Sequence, residues 1–73
     1  MQLHGSASIG IRVNGGNIET DARTLAELVA GLGHAEGAVA TAVNGAFVPR
    51  PARAATLLAE GDRIEIVAPR QGG

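Results

Sequence analysis

The stretch Glu60-Gly61-Asp62-Arg63-Ile64-Glu65-Ile66-Val67-Ala68-Pro69-Arg70-Gln71-Gly72-Gly73 holds the last regular element of the chain and its end. Glu60-Gly61-Asp62 reads as a turn, and Arg63 to Val67 alternates charged and apolar residues with the period of a strand. Ile64 and Ile66 need burial, and a central place in a sheet beside a parallel first strand would supply it. From Ala68 onward neither periodicity nor bulk remains.

Working back from that strand, the chain supplies neighbours for it. Ile9, Ile11 and Val13 alternate with Gly10 and Arg12 as in a half-buried strand, and Asn14-Gly15-Gly16 is a hairpin signal that returns residues 17–20 antiparallel. Thr24-Leu25-Ala26-Glu27 fits a capping box, in which the Thr24 hydroxyl and the Glu27 carboxylate each satisfy a free backbone N–H at a helix start. Leu25, Leu28, Val29 and Leu32 then form one apolar stripe, Gly33 closes the helix, and His34 sits at its negative pole. The run from Ala38 to Val43 is apolar except for Thr41 and predicts a strand covered on both faces, turned by Asn44-Gly45 into a short strand at Phe47-Val48 that stops at Pro49. Ala52 to Leu58 predicts a loose helical turn that lays Leu57 or Leu58 on the core. Two hairpins around one helix, closed by a central strand, predict an α+β fold of the β-grasp type, with a four- to five-stranded mixed sheet packed on one main helix. Val-Asn-Gly occurs at 13–15 and again at 43–45, which reads as one turn chemistry used twice.

Composition bounds what this body can do. Seventy-three residues make one domain, able to bury only about 60% of the surface its unfolded chain exposes. Residues 1–7 read as a disordered extension and 68–73 as a flexible tail. The chain has no cysteine, and His4 and His34 have no ligand-spaced partners, so neither disulfides nor a metal is expected to staple the fold. Six arginines spread singly, no lysine and a single aromatic residue argue against a nucleic-acid partner. No apolar window reaches the length of a membrane span and no signal peptide is legible, so a cytoplasmic protein is expected.

Catalytic groups are almost absent: no Cys, Tyr or Lys, and two His without a nucleophile motif. Glu60, Asp62 and Glu65 read as solvated charges. What remains is the end itself. A carboxylate is a poor electrophile until another protein activates it, ordinarily as an acyl adenylate. To enter a narrow active site the end must be thin, and Gly72-Gly73 has no Cβ to clash. Six extended residues from Ala68 to Gly73 reach about 20 Å.

From about Ile11 onward the chain resembles the sulfur carrier proteins of bacterial thiamin biosynthesis, the ThiS family. The resemblance rests on Ile11-Arg12-Val13-Asn14-Gly15, Thr24-Leu25-Ala26-Glu27-Leu28 with Leu32-Gly33, Val43-Asn44-Gly45, Phe47-Val48-Pro49-Arg50, Glu60 to Ile66, and Gly72-Gly73. Family members often carry a Trp shortly after the Pro-Arg pair, where this chain has Arg53. The resemblance implies a protein cosubstrate and not an enzyme. An adenylating, ubiquitin-activating-like enzyme would use ATP on Gly73, with Gly72, Gln71 and Arg70 threaded into partner active sites. A persulfide sulfur donor would then convert the adenylate to a thiocarboxylate, which gives its sulfur to thiazole synthase. The carrier would bind no cofactor of its own. Phe47 and Val48 are candidate docking residues near the tail, Phe47 being equally readable as core. Three alternatives stay open: sulfur transfer to a molybdopterin precursor or in cysteine synthesis, conjugation to other proteins, and a β-grasp interaction module with an inert end.

Overall fold

The computed structural model describes residues 8–68. Strands β1 (Ile9–Val13) and β2 (Gly16–Thr20) lead into helix α1 (Leu25–Gly31), which is followed by a 3₁₀ turn at Glu36–Ala38. Strands β3 (Ala40–Val43) and β4 (Ala46–Val48) come next, then a longer 3₁₀ helix at Arg50–Ala55 and the last strand, β5 (Arg63–Val67). The sheet has five strands in the order β2-β1-β5-β3-β4, with β5 parallel to β1 and antiparallel to β3. This is the β-grasp arrangement, with the final strand in the middle as the alternation of Ile64 and Ile66 requires.

Both hairpins turn on Asn-Gly. Asn14 and Asn44 each have φ 52°, and Gly15 and Gly45 have φ 87° and 88°, the doubly positive geometry of a type I′ turn whose twist matches the strands it joins. Asn and Gly are the residues that tolerate it most cheaply.

At the start of α1 the Thr24 hydroxyl accepts the Glu27 N–H at 3.1 Å, while the Glu27 carboxylate reaches one residue further back than a capping box predicts and accepts the Arg23 N–H at 2.7 Å. The helix ends in a Schellman motif: His34 N–H donates to the Val29 carbonyl, and Gly33 N–H, at φ 88°, donates to Ala30. Leu25, Leu28 and Val29 are buried against Ile11, Val48, Ile64 and Ile66 on the sheet and Val39 just before β3. Each fully buried aliphatic side chain contributes about 1.5–3 kcal/mol. Leu32, assigned to the same stripe, is 43% exposed because it falls at the C-cap, beyond the turn that faces the sheet.

Two expectations need correction, and a third, that Leu57 or Leu58 packs on the core, is met by Leu58. Residues 36–38 form the 3₁₀ turn, so the strand begins at Ala40 and not at Ala38. Nor is β3 covered on both faces: Thr41 points inward and is buried, whereas Ala40 and Ala42 lie on the face opposite α1 and are only half-buried. Alanine fits either side of a sheet, so a run containing it does not report which faces are covered. In the connection before β5, Leu58 packs on the core and Leu57 is exposed; the residue that the 3₁₀ helix buries is Arg53, at 2% exposure.

The turn leading into β5 is tied to β1. Gly10 N–H donates to the Glu60 carboxylate at 3.0 Å, and Gly61 N–H donates to the Gly10 carbonyl at 2.7 Å. A Cβ at position 10 would stand 3.1 Å from the other Glu60 oxygen, so a larger residue there would have to push the Glu60 carboxylate back by a few tenths of an ångström.

Candidate functional site

Side chains of the sheet that do not face α1 point to the opposite face, which no helix among the described residues covers. Strand pairing sets its pattern. Gly10 pairs with Glu19 and Arg12 with Asn17 across β1 and β2, and Arg12 lies beside Arg63 of β5, so this half is polar and charged. On the other half Ala42 stands between Phe47 of β4 and Glu65 of β5, and Ala40 stands opposite Val67. Phe47 is 68% exposed and Val67 60%, and with Ala40 and Ala42 they line one shallow apolar depression, edged by Asn14 and Glu65. Val67 is the last residue of β5. The apolar patch therefore adjoins the point where the chain leaves the sheet for its C-terminal end.

Of the two residues expected to dock, the structure separates the pair. Phe47 points out, which removes its reading as core. Val48 pairs with Thr41 on the inner face and is buried at 9%, so its side chain is committed to the core and is corrected out of the docking surface. Alternation along β4 forces one of the two inward. The patch members missed by sequence reasoning are Val67, Ala40 and Ala42. Val67 carried a usable signal: Arg63, Glu65 and Val67 share the outward phase of β5, and Val67 is the apolar one among them. The alanines carried none.

The carboxylates near the turn are engaged with backbone. Glu60 holds Gly10 N–H, and Asp62 accepts Ala59 N–H at 2.8 Å through one oxygen and the Asn44 side-chain amide at 3.0 Å through the other. Such carboxylates shape a turn and do not form an acid/base pair. Among the described residues no three His, Cys, Asp or Glu come together as a metal site, and no helix is long and apolar enough to cross a membrane. Arg70, Gln71, Gly72 and Gly73, the expected tail residues, lie outside the described residues.

The arrangement defines a small ubiquitin-like β-grasp protein: one helix on one face, an open face with an apolar patch, and a central last strand running toward a Gly-Gly end. The ThiS family model matches residues 11–73, and the chain belongs to the ThiS family. It is also similar to the crystal structure of thiamine biosynthesis protein ThiS from Geobacter metallireducens, with a TM-score of 0.74 and 30% identity over 89% of this chain and 100% of that one. No curated protein matches the chain.

Proposed function

We propose that this chain is a sulfur carrier of thiamin biosynthesis, with the Gly73 carboxylate as the group that is chemically changed. The observation that supports this most is that the family match runs to residue 73 and so includes the Gly-Gly end. A carboxylate oxygen of Gly73 attacks the α-phosphorus of ATP in an activating enzyme, pyrophosphate leaves, and an acyl adenylate results. The terminal sulfur of a persulfide displaces AMP to give an acyl disulfide. A thiol then attacks the donor-side sulfur, releasing the thiocarboxylate and leaving the donor and thiol joined as a disulfide. Thiazole synthase takes the sulfur, and hydrolysis of the acyl carbon returns the carboxylate. The carrier supplies no catalytic group; its folded body gives both partners something to hold.

Incubation with the activating enzyme, ATP and a persulfide donor is expected to raise the intact mass by one exchange of oxygen for sulfur. An unchanged mass with an enzyme active on another family member would overturn the carrier reading.

The apolar patch beside the end of β5 is the docking surface in this reading, since any enzyme that takes in the tail meets Val67 and Phe47 first. Exposed aromatics at the centre of an interface commonly dominate its energetics. Phe47→Ser is therefore expected to lower kcat/KM for adenylation roughly tenfold or more, with the loss in KM, while stability changes little because the ring is already in water. An unaltered KM would remove Phe47 from the interface.

A further inference from the structure

The two Val-Asn-Gly turns do more than reverse the chain, and the two asparagines differ in what they hold. Because β5 has a parallel neighbour on one side and an antiparallel one on the other, the turns after β1 and β3 sit at its opposite ends. Asn44 lies at the beginning. Its backbone N–H donates to the Arg63 carbonyl at 2.7 Å, its side-chain oxygen accepts Arg63 N–H at 2.9 Å, and its side-chain nitrogen donates to Asp62. Asn14 lies at the end. Its backbone N–H donates to the Ile64 carbonyl at 2.9 Å, its side-chain oxygen accepts Ile66 N–H at 2.9 Å, and its side-chain nitrogen donates to the Ile66 carbonyl at 3.0 Å.

The Asn14 side chain thus behaves as one more peptide group of β1. Main-chain pairing between β1 and β5 is short, with Arg12 opposite Arg63 and Val13 opposite Ile64. At Asn14 the backbone turns away into the hairpin, and the carboxamide, which has the donor and acceptor of a peptide, continues the ladder to Ile66. Both polar groups of Ile66 are satisfied by this one side chain, a single residue before Val67 and the apolar patch. An Asn-Gly turn needs only a positive φ at its first position, which glycine also gives. The amide is therefore additional to the demands of the turn.

We propose that Asn14 is a positioning residue: it fixes the C-terminal end of β5, and so the direction in which the chain leaves the sheet beside Val67 and Phe47, for entry into the activating enzyme. This rests on the carrier reading. Asn44 makes the matched comparison, with the same turn, the same φ and a similar number of bonds, but at the end of β5 remote from the tail.

The test compares the full chain with Asn14→Gly and Asn44→Gly, both of which keep the turn. Asn14→Asp serves as a second variant, retaining an acceptor for Ile66 N–H while setting a carboxylate oxygen against the Ile66 carbonyl. Amide exchange at Ile66 is expected to speed up roughly tenfold in Asn14→Gly relative to Asn44→Gly, the scale of one or two lost hydrogen bonds. For adenylation, kcat/KM is expected to fall by a similar factor, through KM, in both Asn14 variants and not in Asn44→Gly, although all three lower the unfolding temperature. An equal kinetic loss in Asn44→Gly, or none in the Asn14 variants, would show that the asparagines only stabilise the sheet and overturn the proposal. A wild-type chain that is not adenylated at all sinks the carrier reading and the positioning role with it, a failure told apart from the others because it appears before any substitution is made.

Discussion

Removing Gly73, or making Gly73→Trp, abolishes adenylation and thiocarboxylate formation while leaving the unfolding temperature within about 2 °C of the parent, an effect typical of changes at a chain end. The expectation has two independent parts. Chemically, deletion moves the carboxylate one residue back and shortens the reach by about 3.5 Å, and Trp places a large side chain where a narrow active site admits only backbone. Structurally, the core cluster among the described residues lies between Ile11 and Ile66, and a change at Gly73 leaves all of its members in place. Intact mass after incubation with activating enzyme, ATP and a sulfur donor reads the first part, and thermal unfolding followed by circular dichroism reads the second. A variant that is still converted would dissociate the chemistry from Gly73. One that unfolds much earlier would mean that the tail belongs to the folded body.

The largest stability effect is expected at Arg53. Its guanidinium donates to the Thr41 hydroxyl at 3.0 Å, the Glu36 carbonyl at 2.7 Å and the Val39 carbonyl at 2.6 Å. Thr41 in turn donates to the Val48 carbonyl at 2.8 Å. One side chain from the 3₁₀ helix at Arg50–Ala55 thus fastens the connection between α1 and β3 and, through Thr41, the β3–β4 hairpin. No lysine could do so, because a single ammonium lacks the planar fork that reaches three acceptors at once. Truncation strips donors from buried carbonyls and leaves a void, so Arg53→Ala is expected to cost about 3 kcal/mol. In a domain this small that is much of the total stability, a drop in unfolding temperature of about 15 °C. Arg53→Met keeps most of the apolar stem and loses the same bonds, so comparing the two separates packing from hydrogen bonding. A loss below about 1 kcal/mol in both would mean that water replaces the guanidinium at little cost.

Arg53 also marks a limit of what can be read from the chain. An arginine in a loop between two prolines and several alanines carries no periodicity, and its burial depends on three acceptors contributed by residues 36, 39 and 41. Those positions become neighbours only when the fold forms. The strands, by contrast, were legible because each buries one face, and the period of two in β1 and β5 follows directly from that. The helix was legible from its cap and stripe, except at Leu32, where the last turn runs past the sheet. The open face was the hardest part. Ala40 and Ala42 look like core residues in sequence, and only their pairing with Phe47, Glu65 and Val67 shows that they line a surface. The same holds for Asn14, whose turn was plain from Asn-Gly but whose hold on Ile66 spans 52 residues of chain.

That span bears on how the molecule comes to exist. Without β5 the sheet is two separate hairpins, β1–β2 and β3–β4, that share no ladder bonds, and a lone hairpin is marginal in water. Of the contacts that join them, those between β1 and β5 close most of the chain into a loop, an entropic cost that the β3–β5 contacts do not share. A chain broken off by a stalled ribosome or a protease before Arg63 has no centre to its sheet and stays a target for degradation. Folding therefore acts as a length check: a molecule that survives with a complete sheet has been synthesised at least through Val67.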